Sequence, residues 1–230
     1  MNIKKAGFLF YFFFLVMFEA LPQASFSGDD LRSDFNRATD LFNKEKYAAA
    51  IRLFDDYVQS GEDESGIRLI EAEYYAALSA LRLQNPDAEY RMVVFLSAHP
   101  GSPRINEARI ELADYFYQNR NYRKAATWFE LVNRHELGSD KLPEYFFRYG
   151  YSLYMRGDKA KALLMFSEIK DIDTEYTAPA QYYFSHIAYE QQMYQSALEG
   201  FMKLRDDETF GPIVPFYIAQ IMYMNKDYEG

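Results

Sequence analysis

The sequence predicts an all-α fold: a solenoid of antiparallel helix pairs stacked into one elongated array. Three observations carry that expectation. First, a short motif recurs about every 35 residues, a period suited to a helix-turn-helix repeat. Its copies are Tyr47…Ala50…Phe54, Tyr122…Ala125…Phe129, Lys159…Ala162…Phe166 and Tyr194…Ala197…Phe201. Second, the internal offsets of three and seven residues put each trio on one face of a helix. Third, the phenylalanines at 54, 95, 129, 166 and 201 are separated by 41, 34, 37 and 35 residues. The long first step has a visible cause in Ser60-Gly61-Glu62-Asp63-Glu64-Ser65-Gly66, an inserted turn without an apolar residue.

The elements follow in order. A first pair is expected over 30–43 and 47–59, and a second over 67–83 and 86–98, with Pro86 in a first helical turn, where a missing N–H costs nothing. His99-Pro100-Gly101-Ser102-Pro103 is a strong break, in which Ser102 can cap and Pro103 can open the next helix. Further pairs are expected over 104–119 and 122–134, 142–156 and 158–169, and 178–191 and 194–204. Pro179, near a helix start, is tolerated there. A sixth pair opens over 213–224, turns at Asn225-Lys226-Asp227 and is cut three residues into its second helix. A repeat cannot bury its apolar face alone. Val214, Phe216, Ile218, Ile221 and Met222 are therefore expected to stay partly uncovered, as in the N-terminal part of a longer repeat protein.

Residues 1–27 stand apart from the array. Lys4 and Lys5 precede an uncharged stretch from Ala6 to Phe18, and small residues follow at Ser25 and Ser27. This is the pattern of a secretory signal peptide. The apolar run is short for a membrane span, which needs about 20 residues. Cleavage is expected after Ser27, with Ala24 the alternative. Residues 28–230 would then form an array of about five and a half helix pairs. Without Lys4, Lys5 and Glu19, that array carries a net charge of −10. The expected location is the periplasm of a bacterial envelope.

Composition narrows the function. There is no cysteine among the 230 residues, which removes disulfides, thiolate metal sites and cysteine catalysis. The acidic balance disfavours nonspecific nucleic-acid binding, which needs clustered Lys and Arg. His99, His135 and His186 fall in different units without metal-ligand spacing, and there is no Gly-rich phosphate loop. The acidic runs Glu62-Asp63-Glu64 and Asp206-Asp207-Glu208 read as solvated loops. No catalytic residue, cofactor or metal is expected.

The aromatics of the first helices form rows. Phe42, Tyr117, Tyr154, Tyr189 and Tyr223 each lie five residues before the start of the following helix. Phe35, Ile110, Phe147, Tyr182 and Phe216 lie seven residues earlier, and Thr39, Asp114, Tyr151, His186 and Gln220 lie between. Seven residues is about two turns, so the three rows share a face. Such a stripe is what a solenoid core looks like; it is also what an aromatic binding groove looks like.

The pattern resembles the tetratricopeptide repeat family over essentially all of residues 30–230. Besides the trio, Ala38, Ala113, Gly150, Ser185 and Ala219 recur at one position of the first helices, where helix axes about 8–10 Å apart leave no room for a large side chain. The second unit departs, with Arg91 where the others have Ala. Residues 95–108, with the Pro100-Gly101-Ser102 turn, are similar to periplasmic repeat proteins of the outer-membrane assembly and cell-division coordinator type. The resemblance implies a right-handed superhelix whose concave groove, lined by the three rows, holds a segment of another envelope protein. Phe147, Tyr151, Tyr154, Tyr182, His186, Tyr189 and Tyr223 are the expected groove residues. The alternative is an interaction arm of a larger envelope enzyme or regulator, with its active domain beyond residue 230.

Overall fold

The computed structural model describes residues 28–61 and 66–224, and these hold eleven α-helices and no strand. The expected signal peptide and the turn and helix start after residue 224 lie outside the described residues, as does Glu62-Asp63-Glu64. Five helix pairs and one further helix follow one another. They are α1 (Gly28–Asn43) with α2 (Tyr47–Ser60), α3 (Ile67–Leu83) with α4 (Ala88–Ala98), and α5 (Ile105–Gln118) with α6 (Tyr122–Glu130). Then come α7 (Leu142–Arg156) with α8 (Lys159–Ser167), α9 (Thr177–Glu190) with α10 (Tyr194–Lys203), and α11 (Val214–Met224). Each helix packs on its neighbours in the chain, and first helices also touch first helices, as α3 touches α5 and α5 touches α7.

The repeated motif is the core. Phe54, Phe95, Phe129, Phe166 and Phe201 are all buried, and Ala50, Ala125, Ala162 and Ala197 are fully so. The small position explains why. A Cβ on Gly150 would lie 3.0 Å from the ring of Phe166, so the second helix rests directly on the first at this point. Ala38, Ala113 and Ser185 are likewise fully buried. Ala219 departs from this expectation and is exposed. The second helix that the sequence leads one to expect against it lies outside the described residues.

The turns share one device. The first helix ends at a residue with positive φ, which lets the next amide bond back to the last turn. Glu45, Gln84, Arg120, Gly157 and Gln192 hold this place. The following amides, from Lys46, Asn85, Asn121, Asp158 and Met193, reach carbonyls five residues back at 2.8–3.0 Å. Asn121 and Asp158 then cap α6 and α8 with their side chains.

This register corrects the second unit. After the positive-φ residue the second helix normally starts two residues on, but α4 starts at Ala88, four after Gln84. Pro86 therefore lies in the turn rather than in the helix. Counted back from Gln84, the small position of α3 is Ala77, which is buried. Counted within α4, Arg91 does stand where the other units have Ala.

Other boundaries move for local reasons. α6 stops at Glu130, short of the expected Arg134, and a 3₁₀ turn at Arg134–Glu136 follows. Asn106 clamps the chain there: its Oδ1 accepts from the Asn133 amide at 2.7 Å and its Nδ2 donates to the Asn133 carbonyl at 3.0 Å. Ser102 Oγ accepts from the Arg104 amide at 3.2 Å, and α5 begins one residue later. At the far end, Val214, Ile218 and Ile221 are buried, against expectation. They pack into a cluster with Ala188, Ala197, Phe201 and Leu204. Phe216 stays 63% exposed.

Candidate functional site

The face shared by the three rows is formed by first helices, so its chemistry changes from helix to helix along the array. In α3, register places Tyr74, Leu78 and Leu81 on the rows, and all three are buried. Arg104 helps close this part. Its guanidinium pairs with Glu71 at 2.8 Å and lies 5.4 and 5.5 Å from the rings of Tyr74 and Tyr75. The rows are closed at α3, and their residues are half-buried at α1 and again from α5 to α9.

The α5–α7 portion is polar. Asp114 Oδ1 meets Arg148 Nη1 at 2.8 Å, Arg148 also pairs with Glu144, and its guanidinium lies 5.6 Å from the Tyr117 ring. Glu111 pairs with Arg82 at 2.7 Å. Burial pushes the carboxyls of Glu111 and Asp114 above the ordinary range, opposed by Arg82 and Arg148 respectively. Asp114 and Glu144 share Arg148, and Glu111 has Arg82.

From α7 to α11 the groove is aromatic, and the rings touch in sequence. Tyr117 meets Tyr151 at 5.9 Å between centroids, and Tyr151 meets Tyr183 at 5.3 Å. Tyr183 meets Tyr154 at 5.3 Å, and Tyr154 meets His186 at 6.2 Å. His186 then meets Tyr217 at 5.5 Å, and Tyr217 meets Tyr189 at 5.5 Å. Most of these contacts are tilted or edge-to-face, the arrangement aromatic quadrupoles favour. Phe147 lies under Tyr151 and against Tyr176 and Tyr183. Tyr182 stacks on Phe210 at 4.7 Å, and Tyr189 Oη donates to Gln220 Oε1 at 2.8 Å.

The structure thus brings six of the seven expected residues, Phe147, Tyr151, Tyr154, Tyr182, His186 and Tyr189, into one network, all half-buried. They are at once packing and surface. Tyr223 is 70% exposed near the end of α11. The expectation missed Tyr183 and Tyr217. Tyr183 stacks on Phe166 at 5.5 Å and Tyr217 on Phe201 at 4.8 Å, so each ties the groove to the preceding second helix. Their signal was present: they sit one residue after Tyr182 and Phe216, at the same repeat position.

The ring network controls its titratable groups. Burial pushes the Tyr117 and Tyr182 hydroxyls up to about 12, and raises those of Tyr154 and Tyr183. Burial lowers the His186 pKa, with Glu190 opposing and Lys159 assisting. Glu190 Oε2 lies 3.6 Å from His186 Nδ1, too far for a hydrogen bond. Tyr117, Tyr154, Tyr182, Tyr183 and His186 are therefore held neutral at neutral pH, and the face offers hydroxyls beside apolar carbon. Among the described residues no group of His, Asp and Glu is placed to hold a metal ion.

Fold and site together define a class: a helical repeat solenoid of the tetratricopeptide type with an aromatic first-helix face. No family model matches the chain, and no curated protein matches it. Among solved structures, the chain is similar to MamA of RS-1, with a TM-score of 0.59 at 14% identity, covering 78% of this chain and 94% of that one. It is also similar to YrrB, a TPR protein with an unusual peptide-binding site (TM-score 0.56, 18% identity, 84% and 90% covered). A third similar structure is the TPR-like repeat region of a kinesin light chain from Podospora anserina (TM-score 0.52, 14% identity, 76% and 93% covered). At these identities the likeness is one of fold.

Proposed function

We propose that this chain is a non-enzymatic, protein-binding scaffold of the bacterial cell envelope. A segment of a partner protein would lie across α7, α9 and α11, against Tyr151, Tyr154, Tyr182, His186, Tyr189 and Tyr223. The observation that carries this reading is the unbroken ladder of half-buried rings on the first-helix face. Tyrosine suits the role: it offers large contact area and a hydroxyl, and loses few rotamers when bound. The fold likeness to YrrB, itself described by its peptide-binding site, fits a peptide-like occupant. The pattern of residues 1–27 supports export, and the net charge supports a partner of basic character, through steering more than through raw affinity.

The test is capture from envelope extract by wild type and by a Tyr154→Ala/Tyr189→Ala/Tyr223→Ala variant. Circular dichroism must first establish that both are folded. A protein retained by wild type and lost by the equally folded variant supports the groove. Equal retention by both refutes it.

A further inference from the structure

On the second-helix side, away from the aromatic groove, lies a cleft of about 450 Å³ between α2 and α4, floored by α3. Its origin is a single repeat position. One residue before the small position, α5, α7 and α9 carry the large side chains of Leu112, Tyr149 and Phe184, the first two buried and the third half-buried. α3 carries Ala76 there. Three residues earlier, where α7 buries Phe146, α3 carries Glu73. Where the fourth unit carries a large ring, the second carries a buried alanine at the base of the cleft.

The cleft has an apolar interior and an acidic rim. Val58, Ala76, Val94 and Phe95 supply the interior. Val94 is 41% exposed and Tyr90, on the rim, is 71% exposed. Arg91, the residue that departs from the repeat, is fully committed. It donates to both oxygens of Asp55 at 2.8 and 3.1 Å and to Asp87 at 2.6 Å. His99 Nε2 meets Glu73 Oε2 at 2.6 Å. The rim therefore holds three carboxylates against one guanidinium and one imidazole. A second opening of about 320 Å³, lined by Ile67 and Ile70, shares Ala98 and His99 with the cleft.

We propose that this cleft is a second, separate docking site, which takes a short peptide segment carrying an aliphatic side chain next to a lysine or arginine. The aliphatic group lies in the cleft above Ala76, against Val58 and Val94, and the cation lies against Asp55, Asp87 and Glu73. A long cationic side chain also lays its methylenes along apolar surface such as Tyr90 and Val94. The same rim repels anionic lipid headgroups and nucleic-acid phosphates.

The full chain, with its alanine and valine methyls isotopically labelled, is titrated by NMR with acetyl-Leu-Lys-amide and with acetyl-Leu-Glu-amide. The expected result is saturable shifts of the Ala76 and Val94 methyls with the lysine peptide. Its affinity should exceed that of the glutamate peptide about fivefold or more, and should fall between about 20 and about 200 mM salt. Two variants complete the test. Val94→Lys places a cation on an exposed site and should abolish the shifts at Ala76. Ala76→Leu extends a larger side chain into the cleft, and should abolish binding in a protein at least as stable. Tyr189→Ala, in the groove, should leave binding unchanged, which separates this site from the groove. Absence of shifts, equal affinity for the two peptides, or retention of binding by Ala76→Leu would overturn the proposal.

Discussion

Gly200→Ala isolates the close approach of two helices that defines each repeat. Gly200 lies in α10 against α9, and an added Cβ would sit 2.0 Å from Ser185 Oγ and 2.4 Å from Gln181 Nε2. Neither partner can give way freely. Ser185 is fully buried and Gln181 nearly so; Ser185 Oγ donates to the Gln181 carbonyl at 2.8 Å and accepts from Gln181 Nε2 at 3.1 Å. Overpacking a filled core costs about 1–3 kcal/mol. Driving the hydroxyl out of place orphans a buried donor, at about 1–3 kcal/mol more. Alanine returns about 1 kcal/mol over glycine through helix propensity. The net expectation is a loss of about 1–5 kcal/mol, read as a lowered urea midpoint by circular dichroism. Ser185→Ala in the same chain removes the hydroxyl, the nearest obstacle, and leaves the Cβ–Cβ approach at 3.2 Å and the Gln181 Nε2 contact at 2.4 Å. The double variant should therefore recover part of the loss, with a coupling of about 1 kcal/mol or more in the double-mutant cycle. A Gly200→Ala protein as stable as wild type, or a cycle without coupling, would refute the packing described for this repeat.

Other consequences are open to the same assays. Phe166→Ala removes a fully buried ring packed against Gly150, Phe147 and Tyr183, and should cost about 3–5 kcal/mol in urea unfolding. Ala76→Leu should hold stability or raise it by up to about 2 kcal/mol, as cavity-filling changes do. His186 should make the fold acid-sensitive. Its folded pKa is lowered, so the unfolded chain binds the proton more readily, and stability falls as pH drops through the ordinary histidine value of about 6.5. His186→Phe should flatten the urea midpoint between about pH 7.5 and about pH 5.5. The raised carboxyls of Glu111 and Asp114 act oppositely, gaining stability as pH falls, and cancel in the comparison of the two proteins.

Much of the architecture was legible because each repeat buries the same atoms. The interval between Phe129, Phe166 and Phe201 is the interval between stacked helix pairs, and the Ala four residues earlier marks where those helices meet. The second unit resisted reading because its irregularity is two added residues in a turn. Pro86 looked like a helix start, and only the positive φ of Gln84 places the boundary. The groove was legible as rows but not as a network. Spacing puts Tyr151, Tyr154 and Tyr189 on one face, yet ring contacts across helices depend on the stacking of neighbouring units, which brings in Tyr183 and Tyr217. The closure of the face at α3, through Arg104 and Glu71, joins residues 33 positions apart. No local pattern announces such a pairing.

The most direct measurement places a photoreactive benzoylphenylalanine at Tyr189, at Tyr223 and at Leu164, an exposed residue of α8. Crosslinked products are then collected from cells. One common partner protein is expected at Tyr189 and Tyr223, and not at Leu164. Equal products at all three positions, or that partner at Leu164 alone, would contradict a binding surface on the first-helix face.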